Sequence, residues 1–258
     1  MFERFKKKTI AIEVASFSDR GLVRPDNQDH LLVNRRNNVF CIADGMGGGE
    51  GGAQASEILC DSVAKAVSRR AEFGELVRNV DGAFSVANEA IRKFALDHGY
   101  RQMATTAAVL ILDSEEGGHA MVGNIGDSRI YRFRNGEMKV LTRDHTMVGE
   151  LLRKIGANSH FAPEELSRNN SLAHVLTRAV GSEGKVKADW RRTEVKDGDL
   201  FLLCTDGVYD MIDFHALRGA FAAGGKSSEI MARLQDLVLS GGAEDNYSMI
   251  VLKIRRRS

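Results

Sequence analysis

Short apolar runs recur along the chain, separated by polar punctuation. They are IAIEVASF (10–17), HLLVN (30–34), VFCIAD (39–44), TAAVLILD (106–113), HAMVGNIG (119–126), RIYRF (129–133), DLFLLCTD (199–206) and YSMIVLKI (247–254). Runs this short, with β-branched residues and flanking Gly, Asn or Asp, predict β-strands. RIYRF alternates, so one sheet face is expected to meet water. Two longer stretches have helical period instead. From Ala55, the residues Ile58, Leu59, Val63, Ala66 and Val67 share a stripe. From Glu75, the residues Leu76, Val80, Phe84, Ala87, Ile91 and Ala95 share another. Residues 227–239 repeat the pattern through Ile230, Met231, Leu234, Leu237 and Val238. A shorter helix is expected after Asp144-His145, with Val148, Leu151, Leu152 and Ile155.

The order is strands, two adjacent helices, a run of strands, an irregular stretch, then strand–helix–helix–strand. Strand runs joined by short links predict antiparallel meanders, and the consecutive helices argue against an alternating βαβ fold. No repeat, low-complexity tract or linker interrupts the chain. One domain is therefore expected over 1–258, its core from about 16 to 254, with a basic tail at 1–9 that carries Lys6, Lys7 and Lys8. The stretch 157–192 is the least regular and most polar, a candidate mobile flap beside a site.

Aspartate repeatedly sits at the end of a strand, next to glycine or a small polar residue. Asp44 lies in CIADGMGG, Asp127 in GNIGDSR, Asp206 in LLCTDGVYD and Asp245 in GGAEDNYSMIV, while Asp29 precedes the strand in RPDNQDHLLV. Alone, each reads as a turn, where Asp bonds its own backbone and Gly takes positive φ. Together they can converge on one rim. Two carboxylates ~4 Å apart repel by about 4 kcal/mol at an effective dielectric of 20. Five would protonate or spread apart unless cations held them. Oxygen ligands without clustered His or Cys favour Mg²⁺ or Mn²⁺ over Zn²⁺. Two such ions suit hydrolysis of a phosphate ester, because they activate a shared water and neutralise phosphoryl charge. A glycine after Asp44 lets a backbone carbonyl approach an ion. Arg24 offers a planar clamp for a phosphate.

Charge and cysteine usage narrow the setting. Lys+Arg is 36 and Asp+Glu is 35, a formal charge of +1, which gives no electrostatic reason to bind nucleic acid or an acidic membrane. Cys41, Cys60 and Cys204 form no CxxC pair, so no zinc site is expected. An odd count in apolar segments fits reduced thiols and a cytoplasmic location. The start, MFERFKKK, lacks the apolar stretch of a secretory signal, and no apolar window reaches membrane-spanning length. With no coiled coil or long apolar surface stripe in view, a monomer is expected.

These residues, in this order, resemble the metal-dependent Ser/Thr protein phosphatases of the 2C type, the PPM family, in its compact bacterial form. The likeness runs through RPDNQDHLLV, CIADGMGGGEGGAQAS, MATTAAVLIL, GNIGDSRIYRF, LTRDHTMVGELL, VLTRAVG, LFLLCTDGVYDMI and AEDNYSMIVLKI. It implies an α+β fold: a four-layer α-β-β-α sandwich of two packed antiparallel sheets flanked by helices. It also implies two Mn²⁺ or Mg²⁺ ions in a cleft between the sheets, with room for a third. By motif position, Asp44 would bridge the two ions and the Gly45 carbonyl would bind one of them. Asp206 and Asp245 would hold the other, with Asp29 nearby through water. Asp127 with Asp206 would match a weaker third site, and Arg24 would hold the substrate phosphate. An activated water would attack phosphorus directly in phosphoserine or phosphothreonine proteins, opposing a eukaryotic-like Ser/Thr kinase.

The sequence departs from that pattern in places. Gln28 stands where Glu is common, Met46 where some members carry a His general acid, Gly49 where His is frequent, and Ala104 where Gly is usual. Methionine cannot donate a proton. Thr105 and Thr106 are expected to fix the strand beside the site, His145 to act as a structural donor at a turn, and Tyr209 and Trp190 to be core or rim aromatics. Two other function classes stay in view. A non-catalytic regulatory module on the same fold would have lost the main ligands, which are present here. A hydrolase of small phosphate esters or nucleotides would share the site and differ in kcat/KM.

Overall fold

In the run 39–44, Val39, Cys41 and Ala43 face one side, while Phe40 and Ile42 face the other. That is the two-residue period of a strand. Both sides are buried, so the strand lies between two layers. The run 199–206 behaves the same way: Leu200, Leu202 and Cys204 face one side, and Phe201 and Leu203 the other. Phe40, Ile42, Phe201 and Leu203 meet in a shared layer with Leu110, Ile130, Ile250 and Leu252. Each such side chain, once fully buried, contributes roughly 1.5–3 kcal/mol.

The structure is a computed structural model that describes residues 10–47, 50–67, 69, 71–113, 118–154, 172–182 and 184–256. One antiparallel sheet runs in the order β1 (Ile10–Asp19), β11 (Tyr247–Arg256), β10 (Leu200–Cys204), β7 (Arg129–Arg134) and β8 (Glu137–Val140). The other runs β2 (Asp29–Asn34), β3 (Val39–Met46), β5 (Ala107–Leu112), β6 (His119–Ile125) and β9 (Asp189–Glu194), with β4 (Ala104–Thr105) on the end of β3. Helices α1 (Glu50–Ala66) and α2 (Phe73–His98) cover the outer face of the β3–β5 sheet through Leu59, Val63, Val80, Phe84 and Ile91. Following α3 (Met147–Lys154) and the single turn α4 (Asp206–Tyr209), α5 (Phe214–Ala222) and α6 (Ser227–Ser240) cover the other sheet through Leu217, Phe221, Ile230 and Leu234. The expected α-β-β-α sandwich is the observed architecture.

Several boundaries differ from expectation. The whole of β1 pairs with β11, from Ile10 opposite Arg256, so the folded part begins before Ser16. The run 199–206 ends as a strand at Cys204, because Asp206 opens α4. In α3, Leu152 is buried but Leu151 is 59% exposed, so the expected stripe narrows to one residue; Ile155 lies outside the described residues. The stretch 157–192 was expected to be irregular, yet its end forms β9. DWRRTE gave no apolar alternation because β9 is an edge strand with mostly polar side chains. Residues 157–171 of the expected flap, Gly49 and the basic tail lie outside the described residues. No helix among the described residues is long and apolar enough to cross a membrane.

Candidate metal centre

Strand pairing brings the acidic turns together. Asp29 opens β2 and faces Asp44, near the end of β3, as its direct antiparallel partner. Asp206 lies just beyond β10 and Asp245 just before β11, and these strands are antiparallel neighbours with Cys204 opposite Met249. Asp127 sits in the turn before β7, whose first residue, Arg129, is opposite Cys204. Asp127, Asp206 and Asp245 thus share one rim of one sheet, and Asp29 and Asp44 share a rim of the other. Two contacts close the gap between the sheets. Thr205 Oγ1 donates to Asp29 Oδ2 at 2.8 Å, and the Asp44 and Asp206 carboxyl groups lie within hydrogen-bonding reach of each other.

The backbone around each aspartate is tightly held. Asp44 N–H donates to Thr106 Oγ1 (2.9 Å), and its carbonyl accepts from Thr106 N–H (2.8 Å) and Thr105 Oγ1 (2.9 Å). Thr105 and Thr106 therefore fix the strand, as expected. Gly45 and Gly207 follow the two central aspartates, yet neither takes positive φ. They permit close approach instead. A β-carbon on Gly45 would lie 2.0 Å from the Gly52 carbonyl oxygen at the start of α1, and one on Gly207 would lie 2.1 Å from the Asn246 carbonyl oxygen.

Asn246, beside Asp245, staples the loop that carries Arg24. Its Nδ2 donates to the carbonyls of Arg20 (2.9 Å) and Asp26 (2.8 Å), and its Oδ1 accepts from Gln28 N–H (2.8 Å). Gly21 packs under the same loop at φ 74, where a β-carbon would meet the Asp245 carbonyl oxygen at 2.3 Å. Arg24 Nη2 consequently reaches Asp245 Oδ2 at 2.7 Å, with the arginine side chain 55% exposed. Hydrogen bonding to Asp245 raises the guanidinium pKa. A guanidinium has five donors, so this contact leaves others for an anion.

The electrostatics are unfavourable to bare carboxylates. Burial pushes Asp29 up to about 7, with Thr205 and Ser248 opposing the rise and Asp206 and Asp245 adding to it. Asp44 and Asp127 are raised well above the usual carboxylate range, first by burial and then by neighbouring aspartates, Asp206 foremost. Asp206 is raised by burial and by Asp245. Asp29 Oδ1 is buried with no hydrogen-bond partner among the described residues. Ligand atoms of Asp127, Asp206 and His174 also lie within 4.8 Å of one another. A part-buried, mutually repelling, oxygen-rich cluster with an unpartnered oxygen fits hard divalent cations.

Below the centre, Arg129 is held by Asp144 through contacts of 2.6 to 3.1 Å and lies 3.7 Å over the Tyr209 ring, whose hydroxyl donates to the Asp127 carbonyl at 3.2 Å. His145 is a turn residue as expected, but it accepts rather than donates there. Gly126 N–H donates to its Nδ1 at 3.1 Å, so that nitrogen carries no proton, and Nε2 lies 3.3 Å from Asp189. Trp190 stacks on Phe84 and donates to Asp81 at 2.8 Å. The structure brings Arg24, Asp29, Asp44, Gly45, Asp127, Asp206 and Asp245 together where the rims of the two sheets meet. Sequence reading missed Asn246, Thr205 and His174. Asn246 had a signal, its place directly after Asp245; His174 had only its place in LAHVLTRAVG.

A family model described as Protein phosphatase 2C matches residues 18–237. The serine/threonine protein phosphatase PstP of Mycobacterium tuberculosis is 30% identical over 247 residues, 95% of this chain but 46% of PstP. The chain therefore spans less than half the length of that relative. Protein phosphatase PhpP of Streptococcus pneumoniae is 29% identical over 249 residues, 94% of this chain and 98% of PhpP. The crystal structure of the catalytic domain of PstP in complex with 2 manganese ions matches with a TM-score of 0.82 at 29% identity, covering 96% of this chain and 100% of that one.

Proposed function

The chain belongs to the protein phosphatase 2C family, and on that premise we propose that it is a metal-dependent phosphatase of phosphoserine and phosphothreonine in proteins. The observation that carries this reading is the convergence of Asp29, Asp44, Asp127, Asp206 and Asp245, with Arg24 at its edge. We assign Asp44 and the Gly45 carbonyl, with Asp206 and Asp245, to two Mn²⁺ or Mg²⁺ ions. Asp29 would stand beside them, and Asp127 with Asp206 would hold a third, weaker ion. When bound, such ions supply an activated water and neutralise phosphoryl charge.

The chain's own residues position and exclude. Thr105 and Thr106 hold the Asp44 backbone, and Thr205 orients the Asp29 carboxyl. Gly45 and Gly207 let the segments bearing Asp44 and Asp206 pack without intervening side chains. Arg24 orients the incoming phosphate with the donors it does not give to Asp245. Met46, 36% exposed two residues after Asp44, supplies no proton. We read the chain as one catalytic domain acting as a monomer in the cytoplasm, and a eukaryotic-like Ser/Thr kinase as its counterpart.

Substrate class is tested by kcat/KM on phosphothreonine peptides and on nucleotides with the same metal-loaded protein. The proposal expects the peptides to lead by roughly tenfold or more. Nucleotides leading by that margin would make the chain a small-ester hydrolase.

A further inference from the structure

Asp127 and Asp206 have a third neighbour that the assignments above leave unused. One ring nitrogen of His174 lies within 4.8 Å of a carboxylate oxygen of each. Two features hold the imidazole there. The segment around it is fastened beside α3 by the Met147 N–H to Val175 carbonyl bond (2.9 Å) and by the Thr146–Leu176 bridge. Its Nδ1 lies 3.7 Å from Asp210 Oδ2. Asp210 stands one helical turn after Asp206, its N–H bonded to the Asp206 carbonyl at 2.9 Å. A neighbouring carboxylate is the usual companion of a ligating histidine, because it fixes the tautomer and the ring orientation. Two carboxylates and an imidazole from three chain segments make a mixed donor set. The set assigned to the two-ion centre is oxygen alone.

Resting on the reading of Asp127 and Asp206 as holders of a third cation, we propose that His174 is that cation's third protein ligand. The site thereby selects a transition-metal dication over Mg²⁺. Imidazole nitrogen favours first-row transition ions, whereas Mg²⁺ prefers oxygen. The ion would also tie the segment around His174 to the β6–β7 turn and α4, so its binding would be coupled to the order of that segment.

Mn²⁺ serves as the probe, because free Mn²⁺ is counted by its electron paramagnetic resonance signal. Chelator-stripped protein is titrated as wild type, His174→Ala and Asp127→Asn, with thermal midpoints to establish that each is folded. The His174 side chain is 44% exposed and belongs to none of the hydrophobic clusters, so its replacement leaves the core intact. Three bound Mn²⁺ per chain are expected for wild type. His174→Ala should weaken the third by roughly tenfold or more and spare the other two. Asp127→Asn should weaken the same ion. Mg²⁺ should displace the third Mn²⁺ poorly from wild type and more readily from His174→Ala. A third Mn²⁺ weakened by Asp127→Asn but not by His174→Ala would overturn the proposal and leave the third ion standing. No third Mn²⁺ in wild type, or one untouched by Asp127→Asn, would overturn the underlying reading and the proposal with it.

Discussion

A β-carbon at position 45 would meet the Gly52 carbonyl oxygen at 2.0 Å, and backbone cannot rotate away as a side-chain tip can. Gly45→Ala should therefore push the start of α1 from the Asp44 strand. A loss of about 1–3 kcal/mol in stability is expected from such overpacking, together with weakened Mn²⁺ binding, read by denaturant unfolding and metal titration. A variant as stable and as metal-competent as wild type would contradict the packing argument. Asn246 acts at longer range. Its side chain makes three hydrogen bonds to the loop bearing Arg24. Asn246→Ala should remove three part-buried hydrogen bonds, each worth roughly 0.5–1.5 kcal/mol. It should also raise KM for a phosphopeptide more than it lowers kcat, since Arg24 loses its placement. Arg24→Ala should raise KM likewise, and an unchanged KM would remove Arg24 from phosphate binding. Met46→Ala should change the rate only modestly.

At the scale of elements, His145 joins the β6–β7 turn to β9. Burial first, and then Arg178, hold its pKa below the ordinary histidine value, while Asp189 and Glu150 oppose them. The folded protein thus binds fewer protons at this site than the unfolded chain, and stability falls as pH drops through about 6.5. His145→Gln keeps an acceptor for the Gly126 N–H and removes the titration. Its stability should gain on wild type as pH falls from 8 to 5, measured by urea unfolding at each pH; parallel curves would contradict this. The elements themselves were legible in the sequence where a strand or helix buries a regular face. The β3 and β10 runs announced themselves because both faces are apolar. β9 is an edge strand with mostly polar side chains, so hydrogen bonding to a neighbour, rather than its own pattern, makes it a strand, while β8 is a four-residue edge strand whose alternation rests on Met138 and Val140 alone. The five residues of α1 before Ala55 carry Gly51 and Gly52, which add nothing to a helical stripe.

Across the whole molecule, the centre is a rim feature over a large core. The acidic residues were legible because each sits where an apolar run starts or stops. Their supports were not. Asn246 meets Arg20 across 226 positions, and Thr205 meets Asp29 across 176. No local spacing announces such pairs. The same separation of rim and core sets the response to metal removal. Chelation should abolish turnover yet lower the thermal midpoint only partly. Phe201→Ala, which empties a fully buried position between the sheets, should cost about 3–5 kcal/mol with metal present. Complete unfolding on chelation alone would mean that the ions hold the fold itself.

The central claim is that these carboxylates hold the ions that drive phosphate release. It is tested most directly by phosphate release from a phosphothreonine peptide, using chelator-stripped protein titrated with Mn²⁺ and Mg²⁺ beside Asp206→Asn. Metal-dependent release by wild type and none by the variant is the predicted result. A folded, metal-saturated wild type that releases no phosphate, or an Asp206→Asn variant that releases it at the wild-type rate, would contradict the account.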